Sequence, residues 1–270
     1  MSILTEIIAK KKERLIAKKK SAALKDLIEK SGDMPPVRNF YSALKRKKPA
    51  EQIKIIAEIK RASPSEGLIR SEFDVREIAA IYGKGGASAI SVLTEEDYFR
   101  GDLKYISEAR YETDVPVLRK DFIFDTYQMY ESRAGSADAV LLIAAALSKD
   151  QAGELMALAT ELTLHVLFEV HNLKELDMAM YLNAPIIGIN NRNLTTMKVD
   201  LRTSLDMMKD ISSEEKVVVS ESGIKTSEDV RALDEAGADA ILVGTSLMKA
   251  ANIAQKLGEF RNYRSSSLNI

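Results

Sequence analysis

Eight times between residues 53 and 247 a short apolar run returns, each bounded by polar residues, Gly or Pro. The runs are 53–60 (IKIIAEIK), 87–94 (ASAISVLT), 115–122 (VPVLRKDF), 139–146 (AVLLIAAA), 165–170 (HVLFEV), 185–191 (PIIGINN), 216–223 (KVVVSESG) and 240–247 (AILVGTSL). Val, Ile and Leu fill most of them without strict alternation, as strands covered on both faces require. The fourth is ambiguous, because its closing AAA suits a helix equally well. Between the runs lie stretches of helical spacing, such as 74–82, 126–133, 149–162, 173–181 and 227–236. Strand–helix alternation implies a parallel sheet, and eight strands close into a barrel filled by its own side chains. An open doubly wound sheet would want a G-x-G-x-x-G turn after a strand, and none occurs. The expected fold class is α/β, a (β/α)8 TIM barrel.

A weak internal repeat agrees with this. GASAISV (86–92), SADAVLL (136–142) and GADAILV (237–243) share a small residue, Ala, a spacer, Ala and an apolar strand. Gly or Ser there suits a left-handed helix cap, and the alanines let helix and strand approach closely. The 270 residues suit one such barrel, which typically needs about 250. We expect a single domain over 1–270, with 1–50 an N-terminal helical extension broken at Pro35–Pro36 and Pro49.

That extension is basic, carrying Lys10, Lys11, Lys12, Lys18, Lys19, Lys20, Lys45, Arg46, Lys47 and Lys48 against few acids. The lysines interleave with Ile7, Ile8, Leu15, Ile16, Leu24, Leu27 and Ile28 at helical spacing, the pattern of solvated faces on amphipathic helices. Interleaved aromatics for stacking bases are missing, so no nucleic-acid partner is expected. No cysteine is present, which excludes disulfides and thiolate metal sites, and two histidines leave little for a metal centre. No apolar run approaches the roughly 20 residues that span a bilayer, and the amino end has neither the apolar length nor the cleavage site of a signal peptide. A cytoplasmic protein without a membrane partner is the expectation.

Function is written at the ends of the strands. Glu58 and Lys60 close the first run, Lys120 and Asp121 the third, Glu169 the fifth, Asn190 and Asn191 the sixth, and Glu221 and Ser222 the seventh. Glu58 and Lys60 are two apart and so point to one side of their strand. An ion pair plugging the barrel would explain those two alone. The further polar strand ends argue against a plug, because each unpaired buried ion costs several kcal/mol. In a barrel all eight carboxyl ends share one mouth, where lysines and carboxylates can be tuned as acids and bases. Ser222-Gly223 and Gly244-Thr245, after the last two strands, stand where barrels often bind phosphate.

IIAEIKRASPSEGLI (55–69), SVLTEEDYFRGDL (91–103), VLRKDFIFDTYQ (117–128), IGINNRNL (187–194), SESGI (220–224) and VGTSLM (243–248) resemble, in order, the motifs of the indole-3-glycerol-phosphate synthase family. AEIKRASPS and RKDF are specific; SESGI and VGTSLM are shared more loosely among phosphate-binding barrels. The resemblance implies a carbon–carbon lyase of tryptophan biosynthesis. It would convert 1-(2-carboxyphenylamino)-1-deoxyribulose 5-phosphate to indole-3-glycerol phosphate, releasing carbon dioxide and water, with neither metal nor organic cofactor. By resemblance, Lys120 is the general acid and Glu169 handles protons in the dehydration. Lys60 contacts the substrate carboxylate and has also been given acid roles. Glu58, Asn190 and Glu221 orient the lysines or hold sugar hydroxyls. Ser63, Gly223, Gly244 and Thr245 form the phosphate cradle, with Ser222 and Arg192 further substrate contacts. Phe99, Phe122, Leu141 and Leu194 wall the anthranilate ring.

Asn191 and Thr245 stand where the family commonly has serine. The N-terminal helices contain no tryptophan, so whatever they lay over the ring must be aliphatic. A neighbouring reading is phosphoribosylanthranilate isomerase, usually served by a cysteine–aspartate pair, and the missing cysteine argues against it. A non-catalytic phosphosugar-binding barrel would not need Lys60, Lys120 and Glu169 together. A monomer is expected, with other enzymes of the pathway as possible partners. Because a barrel core can begin at Ile53, a chain starting near Lys45 is expected to fold yet bind substrate weakly. The N-terminal lysines are expected to draw in the dianionic substrate.

Overall fold

The computed structural model describes residues 3–48, 50–211 and 215–264. Each apolar run becomes a strand: β1 Lys54–Ile59, β2 Ala89–Leu93, β3 Val117–Lys120, β4 Ala139–Ile143, β5 His165–Val170, β6 Ile186–Asn190, β7 Val217–Glu221 and β8 Ala240–Val243. Neighbours in sequence pair in parallel, and β1 pairs with β8, closing the barrel. The AAA after β4 forms a 3-10 turn, Ala144–Ala146, so that strand ends three residues before the run does. The third run likewise leaves the sheet at Lys120, and the eighth at Val243.

Three helices precede the barrel: α1 Ile3–Ser21, α2 Leu24–Gly32 and α3 Phe40–Leu44. Its outer layer is α4 Val75–Lys84, α5 Lys104–Tyr111, α6 Thr126–Ala134, α7 Lys149–Glu161, α8 Leu173–Tyr181, α9 Arg202–Met207, α10 Ser227–Glu235, α11 Thr245–Met248 and α12 Ile253–Arg261. Side-chain caps start most of them: Asp74 for α4, Asp125 for α6, Asn172 for α8, and capping boxes from Ser148 and Thr226 for α7 and α10.

The period of two in a strand sorts each run into two cores. Ile55, Ala57 and Ile59 pack outward against helices, whereas Ile56 packs inside the barrel with Leu118, Leu141, Leu167, Val219 and Leu242. Residues sharing that inward parity further along are Glu58, Lys60, Lys120, Glu169, Asn190 and Glu221. The alternation that packs the apolar floor therefore also aims the charged groups into the mouth above it.

The repeat has a function in the barrel's lower end. Gly86, Ser136 and Gly237 adopt positive φ (81°, 69° and 96°), the left-handed caps expected of them. The spacer position, unremarked in the sequence, carries Asp138 and Asp239. They accept the backbone N–H of Val117 (2.8 Å) and Val218 (3.0 Å), stapling each strand to the one before it. The same two carboxylates accept the backbone N–H of Arg38 (2.7 Å) and Arg46 (3.3 Å), tying the segment around α3 to the strand amino ends.

The N-terminal extension departs from expectation. Pro35 and Pro36 do lie in the connection between α2 and α3, and Pro49 falls outside the described residues. Of the expected apolar stripe, Ile16, Leu24 and Ile28 are exposed. The buried stripe of α1 is Leu4, Ile7, Lys11 and Leu15, which includes a lysine. Phe40 and Leu44 of α3 are fully buried inside the barrel with Ile56, Ala89, Ala139 and Ile186. They complete its floor, so the barrel core does not begin at Ile53. Several basic residues of α1 are not free cations: Lys11 and Lys18 pair with Glu96, Arg14 with Asp97 and Lys19 with Asp125. No described helix is long and apolar enough to cross a membrane.

Candidate active site

The sixteen residues given catalytic or substrate-binding roles by resemblance all line one cavity of about 340 Å³ at the carboxyl ends of the strands. Glu58 and Lys60 come from β1 and its end, Lys120 from β3, Glu169 from β5, Asn190 from β6 and Glu221 from β7. Lys120 sits at the centre. Its Nζ is 3.1 Å from Glu169 Oε2 and 3.0 Å from Glu221 Oε2. Asn190 Nδ2 donates to the other Glu169 oxygen at 3.0 Å, and Lys60 Nζ pairs with Glu58 Oε1 at 2.7 Å. Gly188 makes room for Glu221: a Cβ there would collide with its Oε1.

These charges are buried and their protonation follows from their neighbours. Burial works against the Lys120 ammonium, but Glu169, Glu221 and Glu58 outweigh it and hold the lysine above its ordinary value. Burial would likewise raise Glu169, yet Lys120 and His171 keep it well below the carboxylate range. Glu221 goes the other way, pushed up to about 7 by burial and by the charges of Glu169 and Glu58, against the pull of Lys120. Its Oε1 is buried without a hydrogen-bond partner. Two carboxylates on one lysine thus divide into an ionised one and one that titrates near neutrality.

One side of the cavity is apolar. Phe99 and Phe122 stand with ring centroids 6.2 Å apart and tilted by 41°, and Leu141, Leu194, Ile3, Leu4 and Ile7 continue the wall. The aliphatic cover expected from the N-terminus is therefore the first turns of α1. The opposite side is turns. Ser222 and Gly223 have consecutive positive φ (69° and 87°), a strained shape for a serine that bends the chain sharply after β7. Gly244 and Thr245 begin α11, whose first N–H groups have no partner within the helix. Ser63 and Ser65 face them from the hairpin after β1, their hydroxyls 3.5 Å apart. Arg192 also lines the cavity, its guanidinium donating to Met197 O at 3.2 Å. Among the described residues no cluster of three or more His, Asp or Glu is arranged to hold a metal ion.

Asn191 lies behind the mouth rather than in it. It is buried, donates to Ser220 Oγ and Ser222 O at 3.0 Å, and accepts from Ser204 N at 3.0 Å. It fixes the Ser222 turn from outside the cavity.

The sequence missed the support around Asp121. Arg119, of opposite parity to Lys120, is buried among the helices and donates to Glu131 (2.7 Å), Asp121 (3.0 Å), Ser132 and Gln128. Asp121 also receives Thr94 Oγ1 (2.6 Å) and Lys11 Nζ (2.7 Å), and these partners overcome burial to hold it well below the usual range. Glu95 accepts the N–H groups of Asp97, Tyr98 and Phe99, setting the loop that carries Phe99. The loop after β2 thus grips α1 through Glu96 and Asp97 and the cavity wall through Phe99. A charged residue inside an apolar run (Arg119) and a lysine on an apolar stripe (Lys11) were the available signals.

Gly244 backs directly onto the charged pair. A Cβ there would strike Glu58 Oε1 and stand 3.1 Å from Lys60 Nζ. Gly244→Ala is therefore expected to lower kcat, not merely raise KM, by about 10²-fold, the effect of an ångström-scale misplacement. Gly223→Ala, which meets Val199 at 2.6 Å and a strained φ, should act mainly on KM. Steady-state kinetics of the two variants separate these effects.

A family model described as indole-3-glycerol phosphate synthase matches residues 4–260. A curated indole-3-glycerol phosphate synthase of Alkaliphilus metalliredigens (strain QYMF) is 44% identical over 260 residues, covering 96% of this chain and 98% of its own. Among solved structures, thiamine phosphate pyrophosphorylase from Pyrococcus furiosus superposes with a TM-score of 0.60 at 19% identity, covering 86% of this chain and all of that one. Orotidine 5'-phosphate decarboxylase from Pyrococcus horikoshii OT3 gives 0.59 at 12% identity, over 77% of this chain and 98% of its own. At such identities the two structures speak to the barrel fold alone.

Proposed function

We propose how this barrel mouth works from one premise: the chain belongs to the indole-3-glycerol phosphate synthase family. It is a carboxy-lyase of tryptophan biosynthesis, closing the indole ring with loss of carbon dioxide and water. The substrate, 1-(2-carboxyphenylamino)-1-deoxyribulose 5-phosphate, has an aromatic end, a ketone beside a polyol, and a phosphate. The cavity has an apolar wall, a charged centre and a cradle of Ser and Gly turns in matching order.

In this reading the anthranilate ring lies against Phe99, Phe122, Leu141 and Leu194 under Ile3, Leu4 and Ile7. Ser63, Ser222, Gly223, Gly244 and Thr245 hold the phosphate, with Arg192 adding charge. Lys60, oriented by Glu58, meets the substrate carboxylate. The ketone oxygen faces Lys120. The ring carbon bearing the carboxylate attacks the carbonyl carbon, and the oxygen takes a proton from Lys120. The bond to the carboxylate then breaks, its electrons restore the aromatic ring, and carbon dioxide leaves. Finally the new hydroxyl departs as water, taking its proton from Lys60 once carbon dioxide has left, while Glu169 removes a proton from the neighbouring carbon; that proton and one from solvent restore the two lysines. Asn190 holds Glu169 for this, and Glu221 shares Lys120 and orients it.

The observation that carries the reading is the Lys120 ammonium held about 3 Å from both Glu169 and Glu221 in a buried mouth. The barrel and extension act as one domain, because α3 supplies the floor and α1 part of the wall. We place the enzyme in the cytoplasm as a monomer.

Glu169→Gln tests the order of steps. It keeps the shape and the contact with Asn190 but cannot take a proton. Single-turnover mixing should show carbon dioxide released at a near-normal rate, with a decarboxylated, hydroxylated intermediate accumulating before indole appears. Unchanged indole formation without an intermediate would remove Glu169 from the chemistry.

A further inference from the structure

His171 follows directly on β5, two residues beyond Glu169, and lies outside the cavity. Its Nε2 is 3.0 Å from Glu169 Oε1, the oxygen other than the one on Lys120, and its Nδ1 is 2.9 Å from Glu175 Oε2 in the first turn of α8. The side chain is 7% exposed. Glu175 is itself fixed: it accepts the His171 backbone N–H at 2.8 Å and Asn172 Nδ2 at 2.7 Å. The Nε2 contact has the distance of an ion pair but not the direction of a hydrogen bond, leaving that nitrogen otherwise unpartnered. A capping role for α8 would not need it, because Asn172 already supplies the cap.

We propose that His171 is a positioning residue for the reaction: an imidazolium clamped between Glu169 and Glu175 that keeps Glu169 ionised and turned toward the mouth. Glu169 is then faced by Lys120 from β3, Asn190 from β6 and His171 from its own strand end, with Glu221 of β7 across the lysine. Glu169 and Glu175 face His171 from its two sides, and they outweigh its burial, raising its pKa to about 10. Without this clamp, Lys120 would be the single cation beside Glu169 and Glu221, and the pair would take up a proton more readily. A protonated Glu169 cannot remove a proton from carbon. His171 thereby sets the pH below which the dehydration fails. This deepens the reading of Glu169 as the proton-accepting group.

Two measurements test it. The chain has two histidines, so imidazole nitrogen NMR of labelled protein gives two sets of signals, assigned with His165→Gln. His171 should remain doubly protonated through pH 8, while burial lowers His165 and lets it titrate below that. A neutral His171 at pH 7 overturns the proposal, whatever Glu169 does. The second measurement is the pH profile of His171→Gln, which keeps a donor for Glu175 but no charge. The acidic limb of kcat, which belongs to the carboxylate pair together, should move up by about one pH unit, as loss of a nearby opposite charge dictates. KM should stay within about twofold, since the imidazole lines no part of the cavity. An unmoved limb overturns the proposal. Should the His171 variant fold poorly, the protonation state of His171 in the unsubstituted protein decides the matter alone.

Discussion

Replacing Lys120 with methionine is expected to lower kcat by about 10²–10⁴-fold, the usual contribution of a positioned acid, while KM stays within tenfold. Methionine matches the stem of lysine and leaves the apolar contacts in place. What it removes is the one cation between Glu169 and Glu221, each about 3 Å from it. Two buried carboxylates left facing each other cannot both stay ionised, and Glu221, already near neutrality, takes up a proton. The variant therefore loses two things together: the proton donor for the ketone and the field that polarises it. Substrate affinity survives because wall, cradle and Lys60 are untouched. Removing one partner of a buried ion pair also costs about 3–5 kcal/mol before any proton uptake, so a thermal melt accompanies the kinetics. Retention of more than a tenth of the wild-type kcat would dismiss Lys120 as the acid.

The second large effect concerns the N-terminus. A chain shortened to begin at Lys45 is expected not to fold. It loses Phe40 and Leu44, both fully buried in the barrel floor. Truncating such residues costs about 3–5 and 2–5 kcal/mol respectively, which together match the whole stability of many domains. It also strips Asp138 and Asp239 of the backbone N–H groups of Arg38 and, at a frayed end, of Arg46. A chain beginning at Ala23 differs sharply. It keeps α2 and α3 and should unfold cooperatively, but Ile3, Leu4 and Ile7 no longer cover the mouth and Lys11 no longer reaches Asp121. Its KM should rise at least about tenfold, which is about 1.4 kcal/mol and less than burial of one Leu or Ile side chain. Circular dichroism melts and kinetics on both chains check this; a cooperatively folded Lys45 chain would mean that the floor closes without α3.

These two cases mark what could be read from the residues alone. Lys60, Lys120, Glu169 and Glu221 were legible because a charge at the end of an apolar strand violates burial rules, and the barrel leaves only one place where such violations converge. Period-two parity then fixes their direction with no knowledge of partners. Phe40, Leu44 and Lys11 were not legible in the same way. Helical spacing tells which face of a helix is buried but not against what, so α3 looked like extension rather than floor. Lys11 sits on the stripe of Leu4, Ile7 and Leu15, but a lysine there is indistinguishable from one that snorkels until Asp121 is placed opposite it. Asp138 and Asp239 were hidden differently: the repeat was visible, but its spacer acts through backbone N–H groups, which leave no side-chain pattern in the sequence.

The central claim is that this mouth performs decarboxylating, dehydrating ring closure. The direct measurement mixes pure protein with a limiting amount of 1-(2-carboxyphenylamino)-1-deoxyribulose 5-phosphate and follows carbon dioxide and indole fluorescence in the same sample. The account predicts one equivalent of carbon dioxide and one of indole-3-glycerol phosphate for each substrate molecule, with carbon dioxide never lagging behind indole. Consumption of substrate without carbon dioxide, or no turnover by folded protein, would contradict it.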